Sequence, residues 1–288
     1  MTEPGTTEPP AARVLFQREL GQPATDILDG RAAPAAARDA ATVMLLRTGA
    51  AGGLEVYMLR RQASMAFAAG MSVFPGGSVD ARDADEDVAW AGPDAQEWGR
   101  VLAAPPDQAR ALVCAAVRET FEESGVLLAG ETPGTVVADP TSDDWERDRN
   151  ALLDRSLSLA ELLARRHLVL RSDLLRSWSR WITPVIEPRR YDTRFFAAAL
   201  PAGQRTRDVG GEAAAVYWTG PREALDTGRR GEIALLPPTA VTLAELAACG
   251  DLDGALARVP DASPRQPEVL RRDGGAWLTV PGVREYPL

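Results

Sequence analysis

The feature that most constrains this chain is a helical run that carries its acids toward one end. Between Ala109 and Ser124 the apolar Val113, Val117 and Phe121 recur every four residues, with Cys114 beside them and Gly125 as a stop. The segment Arg118-Glu119-Thr120-Phe121-Glu122-Glu123-Ser124-Gly125-Val126 then puts Glu119, Glu122 and Glu123 on one face and Val113, Val117 and Phe121 on the opposite one. Like charges so placed repel by about a few tenths of a kcal/mol for each exposed pair. Two arrangements satisfy such a face. One is a solvated acidic surface; the other is a hard divalent cation, because Mg²⁺ and Mn²⁺ prefer oxygen ligands and several carboxylates can share an ion. Arg118, one turn before Glu122, can orient a carboxylate through a forked hydrogen bond.

The remaining composition narrows the chemistry. The 288 residues include 2 cysteines and 1 histidine. Cys114 and Cys249 lie far apart with no CxxC pairing, which argues against a disulfide scaffold or a thiolate zinc site. His167 has no histidine partner and follows Arg165-Arg166, as a surface or helix-end residue would. All 32 basic residues are arginines, so lysine Schiff-base chemistry and a P-loop lysine are excluded. A net charge of −9 disfavours general nucleic-acid affinity. No stretch reaches the roughly 18 apolar residues of a membrane span, and the acidic, proline-bearing start does not read as a secretory signal, so a cytoplasmic location is expected.

Strand and helix patterns alternate, predicting an α/β or α+β fold. Residues 1 to 13 read as a flexible tail and Arg31 to Ala41 as alanine-rich with helical potential. Thr42 to Arg47 and Leu54 to Arg61 form an expected hairpin around Gly49–Gly53, followed by a Phe74-Pro75-Gly76-Gly77 turn. Asp80 to Pro106, with Trp90 and Trp98, reads as a surface excursion docked by its aromatics. Asp143 to about Trp178 is helical with breaks. Trp181–Pro184, Arg194–Leu200 and Glu212–Trp218 are expected strands, Pro221–Leu225 a short helix, and Pro237 to Ala257 two helices around Gly250-Asp251.

The Arg-Glu-Thr-Phe-Glu-Glu-Ser-Gly-Val run resembles the second half of the Nudix signature, which reads Gly, five residues, Glu, seven residues, Arg-Glu-U-X-Glu-Glu-X-Gly-U with U aliphatic. Phe74-Pro75-Gly76-Gly77 resembles the turn before it. Thr120 takes the first aliphatic place, and forty residues (78 to 117) separate Gly77 from Arg118 where the pattern has thirteen. An insertion of about 27 residues thus splits the motif, as in the subgroup related to peroxisomal coenzyme A diphosphatases. The lone motif glutamate loses its landmark: counting forward from Gly77 reaches Asp83, and counting back from Arg118 reaches Arg110.

The resemblance covers about Thr42 to Ala257. It implies a single enlarged domain over 14–260, inserted at about 80–108, with a helical segment at about 143–178 and a C-terminal extension at 261–288, built as an α/β/α sandwich with a mixed sheet. It also implies hydrolysis of a nucleoside diphosphate linked to another moiety, with Mg²⁺ or Mn²⁺ as cofactor. In that reading Glu122 and Glu123 are metal ligands, Glu119 is a ligand or the base, and the carbonyl of Gly76 completes the shell. Arg118 supports catalysis and Glu212 is a later acid, with an ordinary strand-edge charge as the equal alternative. Among the arginines, Arg61 and Arg190 are candidates for phosphate, which guanidinium pairs bidentately. Trp181 and Tyr191 are candidates for stacking on a base, against core packing.

For coenzyme A, Arg61 and Gly70 fit the spacing of the stretch before the turn, while Ala66 stands where a second arginine belongs. Coenzyme A and its acyl thioesters therefore stand beside ADP-ribose and NADH as expected substrates. The expected partner is a small nucleotide diphosphate, with no nucleic acid and no membrane; a homodimer and a monomer are both admissible. The competing reading is a catalytically idle Nudix fold that binds a nucleotide or a protein.

Overall fold

The structure, a computed structural model, describes residues 16–18, 20–62, 68–207, 213–272, 275–280 and 287–288. The expected tail 1–13 and Glu212 lie outside them. The fold is the expected α/β class, ordered around a mixed sheet. Its strands run in space Ala234–Leu235, Met71–Val73, Leu54–Arg61, Ala37–Thr48, Arg190–Ala199, Leu175–Ile182 and Asp261–Arg265. Ala213–Thr219 also pairs with Leu54–Arg61, and Gly76–Ser78 with Ala37–Thr48. At the centre Ala37–Thr48 and Arg190–Ala199 are parallel, from Ala37 opposite Arg190 to Leu46 opposite Ala199.

The period of two on these central strands divides the core between two faces. Ala41, Val43, Leu45, Phe196 and Ala198 face one cluster, which contains the apolar side chains of the Pro106–Ser124 helix. Met44, Leu46, Phe195 and Ala197 face the other, which the Pro221–Arg229 and Pro237–Cys249 helices cover with Ala224, Leu225, Leu243 and Leu246. Helices on both faces of one sheet make the α/β/α sandwich.

Several expectations move. Residues 37–41 of the alanine-rich run are strand rather than helix, because a ten-residue parallel ladder with Arg190–Ala199 outweighs alanine's intrinsic preference. The helical segment beginning at Asp143 ends sooner, with helices Asp143–Leu153 and Leu159–Arg165 followed by strands Val169–Arg171 and Leu175–Ile182. The carboxylate helix starts three residues early, at Pro106, whose missing N–H suits a first helical turn. Phe16–Arg18, Gly275–Thr279 and Glu268–Arg272 form a separate three-stranded sheet. Among the described residues no helix is long and apolar enough to cross a membrane.

The excursion after Gly77 is held by its own helix, Ala95–Leu102. Asp94 caps it, accepting from the amides of Gln96 and Glu97, while Glu97 accepts back from the Asp94 amide. This box turns Trp98 inward, where its ring meets Phe196 edge-on at 5.8 Å. Trp90 plays a smaller part, half-buried, with its indole N–H on the Pro93 carbonyl and Arg110 over its ring.

Trp98 Nε1 has no hydrogen-bond partner among the described residues. Its contribution is therefore the packing of its ring. Trp98→Ala is expected to cost about 3–5 kcal/mol, whereas Trp98→Phe, which keeps an aromatic ring and removes the unmatched N–H, costs far less. Urea denaturation of the two variants checks the difference.

A buried carboxylate site on the Pro106–Ser124 helix

On the acidic face of the Pro106–Ser124 helix Glu119 and Glu122 are withdrawn from solvent, and Glu123 is half-buried. Glu119 is 9% exposed, Glu122 6% and Arg118 8%. The helix is buried nearly all round because the inserted segment and the Asp143–Leu153 helix pack over the side that faces away from the sheet. Glu122 and Glu123 lie in its last turn, where the helix dipole is negative and no basic residue stands.

Arg118 is the local compensation. Its Nη1 donates to Glu119 Oε1 at 2.8 Å and to both oxygens of Glu122 at 3.2 Å. Its Nε and Nη2 grip Asp83 bidentately, each at 2.9 Å, and Nη2 also reaches the Ser78 carbonyl at 3.0 Å. Arg118 thus positions the acids around it. Asp83 occupies the place counted forward from Gly77. It is delivered by a 3₁₀ turn, Ala81–Ala84, in which Asp83 accepts from the Asp80 amide at 2.8 Å and Asp80 accepts from Arg82. Asp80 and Asp83 have capping-box spacing, and that was the legible signal. Arg110, reached by counting back, lies instead over Trp90 at 5.3 Å.

The glycine turn closes on the same acids. The Gly76 amide donates to Glu123 Oε2 at 2.8 Å. A Cβ on Gly77 would lie 2.4 Å from Glu119 Oε1, so a side chain here would push the Glu119 carboxylate aside. On the far side, buried Arg149 donates to the main-chain carbonyl of Glu122 at 2.8 Å, satisfying a carbonyl left open near the helix C-terminus.

Three carboxylates, of Asp83, Glu119 and Glu122, therefore share one guanidinium in a buried space. Burial is the main force raising Glu119, to about 7; Arg118 opposes it and the Glu122 charge adds to it. Glu122 is raised as well, again chiefly by burial against the pull of Arg118. Hard oxygen donors with an excess of negative charge are the chemistry that a divalent cation fits. Among the described residues, no three His, Cys, Asp or Glu side chains form a closed metal-binding group. Glu119 and Glu122 turn to Arg118, and Glu123 to Gly76.

The expected substrate contacts separate. Arg61, Trp181 and Tyr191 line a cavity of about 930 Å³ that also reaches Gly76, Gly77 and Ser78. Arg190 does not line it: its guanidinium donates to the carbonyls of Thr183 and Ala35 and to Gln266, tying the start of its strand to neighbouring loops. Trp181 is buried, with its indole N–H on Ser179.

The NUDT19 Nudix domain model matches residues 93–246, and the chain belongs to the Nudix hydrolase family. It is a pyrophosphohydrolase of that family. It is 31% identical over 257 residues to an acyl-coenzyme A diphosphatase NUDT19 of Gallus gallus, covering 73% of this chain and 68% of that protein. The Homo sapiens protein of the same name is 30% identical, with 81% of this chain and 72% of that one covered. Among solved structures, a Nudix hydrolase from Alicyclobacillus acidocaldarius superposes with a TM-score of 0.66 at 30% identity, covering 78% of this chain and 97% of that chain.

Two outcomes follow from the site. Asp83→Ala removes the two hydrogen bonds of Arg118 Nε and Nη2 while Glu119 and Glu122 still compensate its charge, and is expected to cost about 1–3 kcal/mol in denaturant unfolding. The sign of the pH effect follows from Glu119. Its folded-state pKa lies above the ordinary glutamate range, so between the two values the native protein binds more protons than the unfolded chain, and stability falls as pH rises through about 7. Metal-free protein is expected to unfold at higher urea at about pH 6 than at about pH 8, and Glu119→Gln to flatten that window.

Proposed function

We propose that the chain hydrolyses the diphosphate of a nucleoside diphosphate linked to another moiety, with coenzyme A and its acyl thioesters as the foremost substrates, by attack of water on phosphorus. The observation that carries this reading is the buried excess of carboxylate around Arg118, closed on one side by Gly76 and Gly77. The substrate class is supported by the names of the relatives and by the partial match of Arg61 and Gly70.

In this reading Glu122 and Glu123 hold Mg²⁺ or Mn²⁺, and Glu119 is a further ligand or the base that takes the proton of the attacking water. A bound cation would supply charge neutralisation at the diphosphate and acidify its water. The chain's own part is orientation. Arg118 fixes the carboxylates of Glu119 and Glu122, Asp83 fixes Arg118, and Arg149 holds the backbone at Glu122. Glu123 lies on the Gly76 amide and would exchange that contact for the ion. Glu212 remains a proposed later acid, adjoining Ala213, which pairs with Arg61 at the cavity edge. Arg61 is the proposed phosphate contact. No covalent intermediate is required, in keeping with a site built of carboxylates.

A mass-spectrometric screen of coenzyme A, acyl-coenzyme A, ADP-ribose and NADH with Mg²⁺ or Mn²⁺ tests the substrate and shows which bond is cut. Glu122→Gln is expected to lower turnover by at least about a hundredfold, with the fold intact by circular dichroism. Undiminished turnover in that variant would remove the carboxylates from the chemistry, and ligand-induced thermal stabilisation without turnover of any diphosphate would favour the idle binding module.

A further inference from the structure

The cavity beside the glycine turn lies on the sheet face opposite the carboxylate helix. Phe74, Trp181, Phe195 and Leu235 belong to the core cluster of that face and line the cavity, together with Ile233 and Leu236. It meets the carboxylates through one thin partition: Gly76 and Gly77 line it, while the Gly76 amide contacts Glu123 and Gly77 presses on Glu119.

Its lining is a poor match for a polyanion. Among the described lining residues the charged side chains are Arg61 and Glu187, one of each sign. A nucleotide that carries several phosphates calls for several cations or a row of backbone amides. What the walls do offer is hydroxyl groups, from Thr42, Ser78, Thr193 and Thr239, and a broad apolar surface. Uncharged hydrogen-bonding groups suit amides, and the apolar surface suits a hydrocarbon.

Resting on the coenzyme A reading above, we infer that this cavity receives the uncharged arm of the substrate, the two-amide pantetheine chain with its thioester-linked acyl tail. The nucleotide half then stays on the carboxylate side of the glycine turn. Near the turn the hydroxyls face the amides. The apolar side chains of the 233–238 segment meet the hydrocarbon, so that this stretch sets which acyl lengths are accepted. About 930 Å³ is at the upper end of small-molecule pockets, room for the arm together with a tail.

The test is a series of thioesters from acetyl to palmitoyl, with free coenzyme A as reference, on the full chain with Mg²⁺. The ratio of kcat/KM for palmitoyl- to acetyl-coenzyme A is expected to exceed one and to fall about tenfold or more in Ile233→Trp and in Leu236→Trp, which fill the cavity. A ratio unchanged in both folded variants overturns the inference while leaving the substrate reading intact. If neither coenzyme A nor any thioester is cut, the substrate reading fails instead, and a binding measurement decides the cavity. Dibromostearate titrated into the protein is expected to quench tryptophan emission, with a distinct part of that quenching lost in Trp181→Phe. Equal quenching in the two proteins would place the hydrocarbon elsewhere.

Discussion

Everything distinctive about the site depends on one buried cation. Arg118 holds Glu119 and Glu122 on its own helix, Asp83 on the inserted segment and the Ser78 carbonyl after the glycine turn. A guanidinium can do this because its five donors lie in a rigid plane, whereas an ammonium offers a point charge. The interaction joins three separate stretches of chain, and the Glu119 and Glu122 carboxylates remain undercompensated even after it is made. That shortfall is the negative charge that the proposed cation would offset.

The insertion is part of this machinery rather than an ornament on it. Its capped helix seats Trp98 on Phe196, and its first turn delivers Asp83. A second added element, the Asp143–Leu153 helix, sends Arg149 to the Glu122 carbonyl, with Glu146 pairing the same guanidinium. Both additions bury the acidic face, and burial is what raises the Glu119 carboxyl. The covering segments therefore change the chemistry of a helix whose sequence they do not alter.

The carboxylate helix, the central hairpin and the helices after Pro221 were readable because strong periodicity, caps and prolines act locally. Residues 37–41 were misread because alanine's helix preference is weak beside a ladder contributed by residues some 150 positions away. The end of the helical stretch after Asp143 moved for the same reason, as Leu175–Ile182 is recruited by Arg190–Ala199. Arg190 resembled a phosphate ligand by composition, yet the carbonyls of Thr183 and Ala35 already use its donors.

By itself the sequence determined the helix, the identity and register of its three glutamates, the glycine turn, and the exclusion of histidine, cysteine and lysine chemistry. These follow from residue type and short spacing, which need no partner. Only the tertiary structure decided that the acidic face is buried, that Asp83 rather than Arg110 answers Arg118, and that a largely apolar cavity lies behind Gly76 and Gly77. The reason is range: a charge takes its character from its solvation and its neighbours, and here those neighbours come from across the insertion and from the opposite face of the sheet.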